Sequence, residues 1–166
     1  MVQKNSHCSF CGHPFDANQS WPRLCASCGN TSFLNPLPVA VIVLPVDDGV
    51  LVVRRNIEPQ IGRLALPGGY MNLHETWQQA GARELFEETG VIIRPTDVRE
   101  FRVKSAPGGA TLMVFGLAPV LRSQDLPEFV PNDETQEVCV ITAPQELAFS
   151  THTETLREYF ESRGAR

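Results

Sequence analysis

The run from Gly68 to Val91, GGYMNLHETWQQAGARELFEETGV, constrains this chain more than any other stretch. Pro67, Gly68 and Gly69 close a short apolar run, Leu64 to Leu66, and call for a tight turn. From Thr76 to Thr89 there is no proline, good helix formers dominate, and Gly90 supplies a stop. The segment therefore reads strand, loop, helix. At about 100° per residue, Glu84, Glu87 and Glu88 share an arc of roughly 100° on that helix, and Ala82, Leu85 and Phe86 occupy the adjoining apolar arc.

Three anions within about one turn repel one another, and nothing about a helix requires the arrangement. Hard divalent cations remove that cost, because carboxylate oxygens suit Mg²⁺ or Mn²⁺. Arg83 lies one turn before Glu87 and can also reach back to Glu75, holding the carboxylates in position. A lone Glu-Glu pair is more simply a solvated helix face. Two glycines, four glutamates and an arginine at set spacings are not accounted for in that way.

The stretch resembles the signature of the Nudix hydrolases, with Gly69, Glu75, Arg83, Glu84, Leu85, Glu87, Glu88, Gly90 and Val91 at the fixed positions. The resemblance implies an α+β fold, an α/β/α sandwich with a mixed sheet, in which the box forms a loop and the catalytic helix. It also implies hydrolysis of a nucleoside diphosphate linked to a second group, with Mg²⁺ or Mn²⁺ held by Glu84, Glu87, Glu88 and the Gly68 carbonyl. Gly69, Glu75, Arg83 and Gly90 then support the box. Glu84, Glu87 and, from a later strand, Glu137 are the candidate catalytic residues, and Glu134 is a weaker candidate beside Glu137. A general base must lie within hydrogen-bond reach of the attacking water.

Before the box, Cys8-x-x-Cys11 and Cys25-x-x-Cys28 stand thirteen residues apart, and each second cysteine precedes a glycine, Gly12 or Gly29. Two such knuckles make a closed four-thiolate site for structural Zn²⁺. Disulfides fit less well in an intracellular chain with a fifth cysteine, Cys139. His7 and His13 flank the knuckles and read as surface residues. The expected organisation is a zinc ribbon over 1–34 and a hydrolase domain over 35–166, which suits a chain of 166 residues.

A net charge of -5 and a pI near 5.3 argue against a surface built mainly for nucleic acid or anionic membrane. The ribbon offers Arg23 as its strong cation, too little to track a phosphate backbone. The longest apolar run, Val39 to Leu44, stops at Pro45, and the start lacks a secretory core, so a soluble cytoplasmic protein is expected. A homodimer is a further expectation from the family.

Between ribbon and box, Val39 to Val46 and Val50 to Arg55 read as strands about an Asp47-Asp48-Gly49 hairpin. Arg54 and Arg55 end the second strand as candidate substrate contacts. Strands follow over 97–104, 110–119 and 138–142, then a helical turn over 144–147 and a helix over 151–162 with Leu156, Tyr159 and Phe160 on one stripe. Trp21, Phe33, Tyr70, Phe115 and Phe129 are aromatics able to stack on a ring.

A ribbon before such a domain resembles two groups, the NADH diphosphatases and the FAD or ADP-ribose diphosphatases. The first carries Ser-Gln-Pro-Trp-Pro-Phe-Pro after its box, whereas here the region reads Ser105-Ala106-Pro107-Gly108-Gly109-Ala110. The resemblance therefore favours a small dinucleotide or nucleotide-sugar, FAD or ADP-ribose, split to AMP plus FMN or ribose 5-phosphate. The alternatives are NADH hydrolysis and a non-catalytic nucleotide- or RNA-binding module.

Overall fold

A computed structural model describes residues 4–164. The chain divides into two compact units, residues 1–36 and 37–166. In the first, β1 (Arg23–Leu24) and β2 (Thr31–Ser32) pair antiparallel beside the two cysteine knuckles.

The second unit begins with β3 (Leu37–Val43) and β4 (Pro45–Val46), which turns through Asp47 and Asp48 into β5 (Gly49–Arg55). The expected single strand over 39–46 is thus two strands broken at Leu44, each entering a different sheet. Then come β6 (Leu64–Ala65), β7 (Gly68–Tyr70), α1 (Trp77–Thr89), β8 (Arg99–Ser105), β9 (Thr111–Leu117), β10 (Thr135–Ile141) and α2 (Ser150–Gly164). One sheet runs β7-β3-β9-β8, with β3 and β9 parallel and the outer pairs antiparallel, so it is mixed. The other, antiparallel sheet runs β10-β5-β4, with β6 also on β5.

Alternating residues of β3 and β5 serve two cores. Val41, Val43, Val50 and Val52 pack with Phe115, Leu147, Leu156 and Tyr159, while Ile42, Leu44 and Leu51 pack with Leu85, Val91 and Val98. Strands covered on both faces read as unbroken apolar runs, which is why these two were visible in the sequence. The helix α1 is seated so closely on β3 that a Cβ at Gly81 would lie 2.6 Å from Ile42 Cδ1. Its start is a capping box, Gln79 N–H donating to Thr76 Oγ1 and Thr76 N–H to Gln79 Oε1, and its end is a left-handed Gly90.

Two local expectations differ from the structure. Residues 144–147 form no helix, because Leu147 N–H is taken by Thr153 Oγ1 and Ala148 N–H by the Leu64 carbonyl. Phe86 lies outside the buried stripe of α1, and Glu88 lies within it, 5% exposed. The stripe is rotated because α1 docks on β7 as well as β3, which brings Glu88 against the backbone of Gly68.

Candidate active site and metal centre

The box is assembled around Arg83. Its Nε and Nη2 donate to the two Glu75 oxygens at 2.7 and 3.0 Å, and Nη1 donates to Glu84 at 2.7 Å and to Glu87 at 3.0 Å. Nη2 also reaches the Tyr70 carbonyl. One planar guanidinium thus ties the loop to the helix and sets the spacing of three carboxylates, a task its fork geometry suits. The same hydrogen bonds hold Glu75 down at about 2.

Among the described residues, Glu84, Glu87 and Glu88 each keep one oxygen without a protein hydrogen bond, whereas both oxygens of Glu75 are taken. Glu84 and Glu87 give one oxygen each to Arg83, and Glu88 gives one to Gly68 N–H at 2.9 Å. Gly69 leaves the space that Glu84 needs, since a Cβ there would meet both carboxylate oxygens at 2.5–2.7 Å. Burial raises the Glu84 carboxyl despite Arg83, with Glu87 and Glu134 adding repulsion. Burial likewise pushes Glu88 up to about 8, helped by Glu84 and Glu134 and opposed by Gly68 N–H and Arg55. The open oxygens and the unrelieved repulsion fit a hard divalent cation as the missing countercharge.

The two later glutamates separate. Glu137 is paired with Arg54 at 2.8 Å, and Arg54 also donates to the Gly62 carbonyl. Glu134, ranked below Glu137 on sequence, is the one whose charge reaches Glu84 and Glu88. Glu134 immediately precedes β10, whereas Glu137 lies within it, beyond an irregularity in the pairing with β5 between Thr135 and Glu137.

Arg55 lies between the acid face and a cleft. Its guanidinium sits 5.1 Å over the Phe149 ring and donates to the Pro59 and Ile57 carbonyls, and its charge acts on Glu88. The cleft, about 440 Å³, is lined by Gly68, Gly69 and Tyr70 of the box edge, by Val39 and Met113 of the mixed sheet, and by Phe149. Among the described residues no charged side chain lines it. His152 forms part of its wall, fully buried between Phe115 and Phe149, with Nδ1 accepting from Leu66 N–H. Burial, and secondarily the charge of Arg55, pushes this imidazole down to about 3, so it is neutral.

Of the aromatics singled out from sequence, Tyr70 lines the cleft, whereas Phe115 is core. Nothing local in the sequence marks the Phe149 ring or the His152 imidazole as the wall of a cleft. Rings 58 or more residues beyond the box reach its edge only in the folded chain.

In the first unit the four sulfurs of Cys8, Cys11, Cys25 and Cys28 all lie within 4.8 Å of one another, the one such His, Cys, Asp or Glu group among the described residues. The Cys8–Cys28 and Cys11–Cys25 separations are 3.7 and 3.6 Å. Those values exclude disulfides and match the roughly 3.8 Å edge of a tetrahedron with Zn–S bonds of about 2.3 Å. Gly12 and Gly29, at φ 73° and 70°, close the two knuckle turns onto the Cys8 and Cys25 carbonyls. His7 and His13 are exposed.

An acid-faced helix on a mixed sheet, with an arginine-pinned carboxylate set at the sheet edge, is the architecture of a Nudix hydrolase. The family profile of the NUDIX domain matches residues 36–162, and the chain belongs to this family. It is 27% identical to the Nudix hydrolase of Nitrosomonas europaea, whose crystal structure superposes with a TM-score of 0.79 over 96% of this chain and 93% of that one. It is 34% identical over 95 residues to the NAD-capped RNA hydrolase NudC of Edwardsiella ictaluri, covering 57% of this chain and 37% of that protein. The chain thus spans little more than a third of the length of the curated relatives it matches. A bifunctional NMN adenylyltransferase/ADP ribose pyrophosphatase of Francisella tularensis, complexed with AMP and manganese, is 27% identical with a TM-score of 0.57, over 80% of this chain and 41% of that one. Among the described residues no helix is long and apolar enough to cross a membrane.

Proposed function

We propose that this domain hydrolyses the diphosphate of an adenosine-containing dinucleotide or nucleotide-sugar, releasing AMP. The observation that carries this is the placement of Arg55, between an acid face with open carboxylate oxygens and an uncharged cleft of ring-accepting size. A flat, neutral ring packs against Met113 and Phe149, the linking phosphates lie along the Gly68-Gly69 edge, and Arg55 supplies a positive charge to them. Arg54 contributes less than expected from sequence, since Glu137 already engages it.

Glu84, Glu87 and Glu88 would hold Mg²⁺ or Mn²⁺, with the Gly68 carbonyl as a further donor. When bound, such a cation neutralises phosphate oxygens and lowers the pKa of an attacking water. Arg83 orients Glu84 and Glu87, and Glu75 orients Arg83. A carboxylate oxygen of Glu84, Glu87 or Glu134 accepts the proton of the water. This places Glu134 in the catalytic set and moves Glu137 to the support of Arg54. The four thiolates would hold structural Zn²⁺.

FAD or ADP-ribose is the favoured substrate, supported by the absent NADH-diphosphatase segment and by the likeness to an ADP ribose pyrophosphatase. The likeness to NudC favours a second reading, an NAD-linked substrate, and brings nucleic acid back as a substrate carrier despite the acidic net charge. Chromatography of products from FAD, ADP-ribose, NADH, NAD⁺ and NAD-capped RNA, each with Mg²⁺, separates them. AMP with FMN or ribose 5-phosphate supports the first, and AMP with NMN or NMNH, or decapped RNA, the second. Glu87→Gln, which preserves size on a half-exposed side chain, should lower kcat by about 10²–10⁴-fold with circular dichroism unchanged. Near-normal turnover in that variant removes Glu87 from the mechanism.

A further inference from the structure

The last turn of α1 leaves a carbonyl that the helix itself cannot satisfy. Gly90 N–H closes onto Phe86, and Val91 N–H, the next in sequence, donates to Thr89 Oγ1 instead of reaching Glu87. The Glu87 carbonyl is taken by the side chain of Asn132, whose Nδ2 donates to it at 3.0 Å. Asn132 lies 45 residues away in the segment that leads into β10.

Every polar atom of Asn132 is engaged. Its Oδ1 accepts from Glu134 N–H at 3.0 Å and Thr135 N–H at 2.8 Å, its own N–H donates to the Thr135 carbonyl, and its carbonyl accepts from Asn56 Nδ2 at 2.9 Å. Asn56 in turn donates its N–H to the Glu134 carbonyl and accepts from Gln136 Nε2. Two asparagines therefore join three segments that are remote in sequence: the end of α1, the residue after β5, and the start of β10. Glu134 is the residue this bracket encloses, held from both its N–H and its carbonyl.

The geometry points to Asn132 as a positioning residue, which fastens the backbone of Glu134 to the C-terminal turn of α1 and so holds the Glu134 carboxylate against the acid face of that helix. An exposed glutamate on a free loop would spread over many rotamers and backbone positions, whereas one fixed on both sides of its peptide presents its carboxylate to Glu84 and Glu88 in a narrow range. The Coulombic action of Glu134 on both residues agrees with this placement. The inference rests on the proposed diphosphatase site, to which it adds the device that sets Glu134.

Asn132→Ser keeps a short acceptor for the turn, adds no charge and removes the amide that reaches Glu87. Asn132→Asp keeps the acceptor at full length and is the second variant. The whole 166-residue chain is titrated with Mn²⁺, with free ion read by electron paramagnetic resonance, and kcat is measured on the best substrate. Glu134→Gln should weaken Mn²⁺ binding and lower kcat, each about 10-fold or more, and each Asn132 variant should do the same to a lesser extent, with a Tm within a few degrees of wild type. In a Glu134→Gln background the Asn132 substitutions should have almost no further effect on either quantity, because nothing is left to position. Asn132 variants with wild-type Mn²⁺ affinity and kcat overturn the assignment, as does an effect of equal size in both backgrounds. If no substrate is cleaved, the diphosphatase reading fails, while the Mn²⁺ titration still decides the bracket.

Discussion

Glu88 is the side chain whose situation departs furthest from that of an ordinary helix glutamate. It is 5% exposed, near two other carboxylates, and its carboxyl is pushed up to about 8 from a usual 4.5. As pH rises past 4.5 the unfolded chain loses this proton while the fold retains it, so stability falls between pH 4.5 and 8 at about 1.4 kcal/mol per pH unit. Glu88→Gln keeps an acceptor for Gly68 N–H and removes the titration. In buffer without added Mg²⁺ or Mn²⁺ it should be more stable than wild type by roughly 3 kcal/mol at pH 7, with the gain vanishing near pH 4.5. Urea midpoints at the two pH values measure this, and equal midpoints at pH 7 would show that Glu88 ionises at no cost. His152 works in the opposite sense. It stays neutral down to about 3, so its share of stability is complete above 6.5 and is lost as pH falls from there. A His152→Gln variant should therefore resist acidification from pH 6.5 to 5 better than wild type by about 2 kcal/mol, relative to its own stability at pH 7.

At the scale of elements, α1 carries the carboxylates and its N-terminus is fastened by a reciprocal cap. Thr76→Ala removes the oxygen that Gln79 N–H uses and should cost about 1 kcal/mol. A drop of about 3–5 °C in Tm, with kcat little changed well below the transition, is the expected outcome by calorimetry. No change in Tm would mean that packing on β3 and β7 alone holds the helix end. Boundaries of α1 were legible because Thr76, Gln79 and Gly90 act through neighbours in sequence. The exposure of Phe86 and burial of Glu88 were not, since periodicity defines a face of the helix but not which neighbour it meets. The same limit applies around β10, where Glu134 and Glu137 look alike in sequence, yet in the fold Glu137 is paired with Arg54 and the charge of Glu134 acts on Glu84 and Glu88.

At the scale of the whole molecule, the two units rest on different physics. In residues 37–166 two apolar cores enclose β3 and β5. Among the described residues of the first unit the buried ones are Cys8, Cys25 and Ser32, while Phe10, Leu24, Phe33 and Leu34 are each more than half exposed. A segment of about 36 residues whose interior consists of thiols depends on what those thiols bind. Stripping Zn²⁺ with a chelator, or replacing Cys25 by Ser, should make residues 4–36 exchange amide hydrogens freely and become protease-sensitive. Residues 37–164 should keep their protection. Slow exchange across β1 and β2 after metal removal would contradict a metal-dependent fold.

The sequence by itself determined what depends on near neighbours: the knuckles and their glycines, the glycine stop and acid face of α1, the apolar strands β3 and β5, and the arginine that can reach Glu75 and Glu87. Those features follow from chemistry repeated at short, regular spacings. Only the tertiary structure decided that Gly69 makes room for the Glu84 carboxylate, that Arg55 stands over Phe149, and that Asn132 completes the last turn of α1. These contacts join residues 15 to 94 positions apart, and the physical reason for them is packing, which selects partners by shape and by unsatisfied polar groups and leaves no periodic trace in the chain.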